Sequence, residues 1–151
     1  MIGLDLTFVF IYSYLLGSIP FGLLITRFFL KKDIRNVGSG NIGTTNVLRT
    51  GKKSLAVATL IFDVLKGYAS IIISLIYFKD LVFLSALICF IGHIFPIWLK
   101  FKGGKGVAVY LGIILALSLP LGIVFGLSWT LLTFIFKYSS LSSMAGAFTV
   151  L

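Results

Sequence analysis

The sequence has one cysteine, one histidine, four acidic residues and three prolines among its 151 residues, and these shortages close several routes at once. Cys89 lies in an apolar run, forms no intrachain disulfide, and reads as a packing residue. With a single histidine and a single cysteine no metal-ligand cluster can be assembled, so neither zinc nor another metal is expected. His93 stands alone, so no Ser-His-Asp arrangement can be built either. Charged residues make up only 11% of the chain against 59% hydrophobic, with a mean hydropathy of +1.13, which leaves too little polar surface for a soluble domain. The short alternating segments of a β-barrel are missing as well. No basic residue precedes the first apolar run, which is too long for an h-region, so no cleavable signal peptide is expected.

What the chain does have is apolar runs of roughly 20 residues, matching a hydrocarbon thickness of about 30 Å. A backbone that spans lipid must satisfy its own hydrogen bonds. The expected class is therefore all-α: a single polytopic transmembrane domain over residues 1–151, a helix bundle with two glycine-rich cytoplasmic loops. Spans are expected at about 6–30, 55–78, 81–99, 107–119 and 121–136, with an incomplete apolar segment from about 144. The loops are 31–54 and 100–106. Pro20, within GSIPFG, should kink or weaken the first span. Residues 107–136 would form a helix of about 45 Å, longer than one span needs, and Ser118, Pro120 and Gly122 interrupt it. The segment is either one kinked helix or two short helices returning to the same side.

The net charge of +9 would suggest nucleic acid in a soluble protein, but here the basic residues flank apolar spans and report topology instead. Arg27, Lys31, Lys32, Arg35, Arg49, Lys52 and Lys53 face a single Asp33 in the first basic stretch, and Lys100, Lys102 and Lys105 form the second. The Lys79–Asp80 turn between them is neutral, so both basic stretches are expected in the cytoplasm and the N-terminus outside.

Two stretches are suited to holding anions. VGSGNIGTTNVLRTGKK, residues 37–53, combines glycine-exposed backbone donors with Ser39, Asn41, Thr44, Thr45, Asn46 and the planar cationic fork of Arg49. KFKGGKG, residues 100–106, places three lysines and three glycines ahead of a helix start, where the dipole favours an anion. It fails as a nucleotide loop, because Leu99 and Gly106 stand where a Walker motif needs glycine and Ser or Thr, and carboxylates for magnesium are lacking. Asp63 and Lys66, three apart inside an apolar helix, read as a structural ion pair or as a strut positioning the loops. His93 in GHIFP reads as a hydrogen-bonded structural residue. From the residues alone, the chain is an enzyme acting on phosphorylated substrates or a transporter of anions.

GSIPFG, GSGNIGTTNVLR, DVLKG, GHIFP, KGGKGVA and YSSLSS, in that order, resemble the bacterial acyl-phosphate-dependent glycerol-3-phosphate acyltransferases, from about Leu15 to Ser143. The resemblance implies transfer of a fatty acyl group from acyl phosphate to the 1-hydroxyl of glycerol 3-phosphate, giving lysophosphatidic acid for phospholipid synthesis in the bacterial inner membrane. It implies catalytic roles for Ser39, Arg49 and Lys105, and substrate binding by Asn41, Thr45, Gly103, Gly104, Ser140 and Ser143. Membrane lipid and the enzyme supplying acyl phosphate are the implied partners, with no cofactor and no nucleic acid. Because YSSLSS belongs at the site, 107–136 is expected to form two short helices hinged near 118–122, with Gly112, Ala116 and Gly126 at contacts. The family continues into a further C-terminal motif of histidine, asparagine, arginine and glutamate, which this sequence lacks; His93 matches a different position. The expectation is a chain cut short, with an inactive copy or a membrane binding protein or transporter as alternatives.

Overall fold

The computed structural model describes residues 2–136 and 139–150, and among them there are helices and loops but no strand. α1 (Ile2–Ser18) and α2 (Phe21–Leu30) are separated by Ile19 and Pro20. Proline has no N–H to continue α1, and the carbonyls exposed at the break find other donors. Lys66 Nζ donates to the Ile19 carbonyl at 2.7 Å, and Trp98 Nε1 donates to the Ser18 carbonyl at 3.0 Å. The loop that follows carries a short helix, α3 (Thr44–Leu48), which a reading of 31–54 as simple loop did not anticipate. α4 (Lys53–Tyr77) is the longest element at 25 residues, about 38 Å of rise. A tight turn at Lys79–Leu81 leads into α5 (Val82–Ile94), and a second turn at Ile97–Leu99 ends against the lysine-glycine loop.

α6 (Val107–Leu117) and α7 (Leu119–Phe136) meet at Ser118, whose backbone is extended. The break falls slightly earlier than a hinge centred on Pro120, because proline sits comfortably in the first turn of α7, where its missing N–H would have no partner anyway. α7 is consequently 18 residues long rather than 16. It runs antiparallel to α6: Gly122 lies against Leu115, Gly126 beside Leu111, and the Phe125 ring is 5.0 Å from that of Tyr110. α8 (Ser139–Phe148) takes in the serine cluster as its opening turn, so the last helix starts before the apolar segment expected from about 144. Tyr138, and with it Lys137, lies outside the described residues.

Among the described residues four helical stretches, 3–30, 53–77, 79–99 and 119–136, are long and apolar enough to cross a membrane, and α6 is shorter. Their outer faces carry exposed Phe83, Phe134 and Tyr77, while the interior is knit by small and hydroxylated residues. Without a hydrophobic drive between helices in lipid, close backbone approach and interhelical hydrogen bonds hold the bundle together. Ser13 and Ser70 each bond Ser85 at 2.8 and 2.9 Å, and Tyr12 reaches Ser74, so α1, α4 and α5 share one buried hydroxyl cluster.

Glycines set the two tightest crossings. A Cβ on Gly17 of α1 would stand 2.0 Å from the Cys89 carbonyl oxygen of α5, and one on Gly112 of α6 would stand 2.0 Å from the Val64 carbonyl of α4. Gly112→Ala should therefore separate α4 from α6 and cost on the order of 2 kcal/mol or more, since backbone cannot give way as a side chain can. Gly126→Ala is the control, because its nearest neighbour would be a Leu111 methyl at 3.8 Å. Thermal unfolding in detergent micelles should show a clear drop for the first and none for the second.

Candidate active site

The first polar loop is folded around one side chain. Asn46, 2% exposed, projects from α3 and donates through Nδ2 to the carbonyls of Ile34, Val37 and Asn41 at 3.0, 2.9 and 2.8 Å. Its Oδ1 accepts from the Ser39 amide at 3.0 Å. Gly38 and Gly40 adopt φ of +56° and +71°, which glycine takes without strain, and a Cβ on Gly38 would strike Asn46 and the Arg49 side chain. Upstream, Asp33 accepts from the Arg35 guanidinium and amide and from Arg27 at 2.6–3.0 Å. Those bonds, from Arg35 first, hold its carboxyl well below the ordinary carboxylate range. The loop is thus a built structure that presents Ser39, Asn41, Thr45 and Arg49 toward α6.

The lysine-glycine loop works differently from a cradle of free amides. Gly103 N–H donates to the Ile94 carbonyl at 2.9 Å and Gly104 N–H to the His93 carbonyl at 3.0 Å, so both amides are committed to the end of α5. Their lack of side chains is what this packing requires. A Cβ on Gly103 would lie 2.1 Å from the His93 carbonyl oxygen, and one on Gly104 would lie 2.2 Å from His93 Nε2. Gly103 and Gly104 therefore hold the loop against α5, and it is Lys105, Gly106 and the first residues of α6, Val107 and Ala108, that face open space.

That space is a cavity of about 550 Å³. Ser39, Asn41, Thr45, Arg49 and Lys105 all line it, so the structure brings the two loops together at one end of the bundle. Asp63 and His93 form part of its polar wall, and Leu111, Ile123, Leu127 and Trp129 of α6 and α7 make an apolar wall opposite. A smaller cavity of about 280 Å³ lies on the other side of Lys105, between Phe90, Tyr110, Phe125 and Met144. Ser143 lines this second space and accepts from Trp129 Nε1 at 3.2 Å. The side chain of Ser140 lies outside the described residues.

Beneath the polar wall sits a buried charged group that spacing alone had suggested only as a local pair. Lys66 Nζ is 2.8 Å from Asp63 Oδ1 and 3.0 Å from His93 Nδ1, which joins α4 to α5 just under the lysine-glycine loop. Ionisable groups at membrane depth mark functional positions by default, and that was the signal available for Asp63 and Lys66 in DVLKG. For His93 and the α6–α7 wall no local pattern pointed to the cavity. Among the described residues no cluster of three or more metal-ligating side chains occurs.

An apolar bundle whose cavity has one polar and one apolar wall, with two cations and, among the described residues, no carboxylate except the Lys66-paired Asp63, suits a membrane protein that handles amphiphilic anions. The family model described as "Glycerol-3-phosphate acyltransferase" matches residues 7–151. A glycerol-3-phosphate acyltransferase of Pelagibacter ubique is 55% identical over 138 residues, 91% of this chain and 72% of that protein. One from Mesorhizobium japonicum is 51% identical over 98% of this chain and 75% of its own length. The crystal structure of PlsY (YgiH), an integral membrane glycerol 3-phosphate acyltransferase in its glycerol 3-phosphate form, superposes with a TM-score of 0.89 at 36% identity, covering 96% of this chain and 74% of that one. Its lysophosphatidic acid form gives 0.86 at 35%. The chain belongs to the glycerol-3-phosphate acyltransferase family and is a multi-pass integral membrane acyltransferase.

Proposed function

We propose that this protein transfers a fatty acyl group from acyl phosphate to the 1-hydroxyl of glycerol 3-phosphate, releasing phosphate and lysophosphatidic acid. The observation that carries the reading is the meeting of Arg49 and Lys105 in one cavity whose far wall is apolar. Two phosphorylated molecules, one with a long acyl chain, need two cations and a greasy surface in a single space. The glycerol 3-phosphate and lysophosphatidic acid named with the solved relatives are a substrate and a product of that form.

Arg49 takes the glycerol 3-phosphate phosphate bidentately, with Ser39 at the mouth and Asn41 and Thr45 orienting the glycerol hydroxyls. Lys105, before the N-terminal turn of α6, takes the acyl phosphate, whose chain runs along Leu111, Ile123 and Leu127. The 1-hydroxyl oxygen attacks the acyl carbonyl carbon, and the carbonyl becomes a tetrahedral oxyanion. The carbon–oxygen bond to phosphate then breaks, phosphate leaving with the electron pair. The hydroxyl proton passes to a phosphate oxygen, so no protein nucleophile or base is required. Orientation of two bound substrates and neutralisation of developing charge supply the rate, the latter about 10²–10³-fold per well-placed donor.

The charge distribution supports a cytoplasmic site, an external N-terminus and residence in the inner membrane, close to the enzyme that supplies acyl phosphate. The test is product formation by purified protein from labelled glycerol 3-phosphate. Palmitoyl phosphate should give lysophosphatidic acid, EDTA should leave the rate unchanged, and palmitoyl-CoA should give negligible product. Efficient turnover with the CoA thioester would overturn the assignment of the donor.

A further inference from the structure

His93 is 4% exposed, lines the large cavity, and is the sole histidine of the chain. Its Nδ1 is 3.0 Å from Lys66 Nζ, which also meets Asp63 Oδ1 at 2.8 Å and the Ile19 carbonyl at 2.7 Å. Paired with Asp63 as an ammonium, Lys66 has protons to give and no lone pair to accept with, and in that state Nδ1 presents its lone pair to Lys66. The one proton of the neutral ring then resides on Nε2. That nitrogen faces the underside of the lysine-glycine loop, where a Cβ on Gly104 would lie 2.2 Å away, and it makes no hydrogen bond among the described residues. An N–H that no protein group among the described residues accepts, on a side chain that lines the cavity and stands next to the loop of Lys105, is free to donate to a ligand there.

We propose that His93 Nε2–H is a fixed donor to a phosphate oxygen of the ligand held beside Lys105, its tautomer locked by Lys66 and Asp63. The identity of that ligand rests on the acyl-phosphate reading above. The lock also assigns what His93 does not do. With Nε2 already carrying a proton, the ring cannot take one from the glycerol hydroxyl, which leaves that proton to substrate phosphate. It further explains why the positive charge of Lys66 stays out of the cavity: Lys66 acts through His93, as a positioning residue.

The 151 residues hold one histidine, so ¹⁵N-histidine labelling of this chain yields a single imidazole spectrum. Long-range proton–nitrogen correlation should show the Nε2–H tautomer from about pH 6 to about pH 8, the range in which an unrestrained histidine changes state. A phosphonate analogue of palmitoyl phosphate, with methylene replacing the bridging oxygen, should shift the Nε2 proton on saturation. Lys66→Met should release the lock and give mixed tautomers. His93→Phe keeps a ring in place and should weaken phosphonate binding by roughly tenfold or more, the value of one hydrogen bond to a charged group. An Nδ1–H tautomer, an imidazolium, or an Nε2 signal unmoved while the phosphonate is bound would overturn the proposal and leave the donor assignment standing. Failure of the phosphonate to bind the unsubstituted protein would overturn both. If His93→Phe does not fold, the spectra of the unsubstituted protein still decide.

Discussion

Lys105→Ala should reduce acyl transfer at least about 100-fold, with most of the loss in kcat. Among the described residues, Lys105 is the one with a cationic side chain that borders both the large cavity and the smaller one beside Ser143. It also stands immediately before α6, so its charge and the positive end of that helix act on the same small volume. An acyl phosphate placed there develops charge on the leaving phosphate and on the carbonyl oxygen together. Lys102→Ala is the control: Lys102 is exposed and absent from the cavity walls, and the substitution should leave the rate within a factor of about two, as surface charges typically do. Arg49→Lys should show a different signature, a rise in KM for glycerol 3-phosphate, because in the proposed binding mode a point charge would replace a fork able to grip two phosphate oxygens. Equal kcat in Lys105→Ala and Lys102→Ala would remove Lys105 from the chemistry.

Asn46→Asp should abolish activity while leaving the bundle folded. The substitution keeps the shape of the side chain and the acceptor for the Ser39 amide, but turns the Nδ2 donor into an oxygen facing the carbonyls of Ile34, Val37 and Asn41 at 2.8–3.0 Å. Each buried carbonyl left unpaired costs about 1–3 kcal/mol, and a carboxylate set against them costs more. The loop that presents Ser39, Asn41 and Arg49 should therefore open. The glycine crossings of α1 with α5 and of α4 with α6 lie elsewhere and do not depend on it. Limited trypsin digestion reads the difference, with faster cleavage within 31–53 and unchanged helical circular dichroism. Retention of both activity and protease resistance would show that the loop does not hang on Asn46.

The breaks in the helices were legible because proline cannot continue a helix that precedes it: Pro20 lies in the break before α2 and Pro120 in the first turn of α7. Glycine in apolar helices marked close approach at Gly112 for the same local reason. The loops were legible in composition and opaque in structure. Asn46 looked like one more polar residue among many, and its bonds reach back 12 positions to Ile34, a distance no short-range pattern encodes. Gly103 and Gly104 carried the right residues for an anion cradle, yet their amides are spent on α5, because a loop that leaves a helix at Pro96 must first satisfy that helix's last carbonyls. His93 was read alone because its partner Lys66 is 27 residues away. The α6–α7 wall could be inferred only once Tyr110 and Phe125 were seen to pack face to edge.

The central claim is that both phosphate-binding loops and the α6–α7 wall enclose one cavity in which the two substrates meet. A phosphonate analogue of palmitoyl phosphate, carrying a diazirine on the chain a few carbons from the carbonyl, tests it directly. Irradiation and peptide mapping should place the label on residues between 107 and 130, at positions such as Leu111, Ile123 or Leu127, and lysophosphatidic acid should protect them. Labelling confined to the outward faces of α1 or α5, or unaffected by lysophosphatidic acid, would mean that the acyl chain lies outside this cavity and would contradict the account.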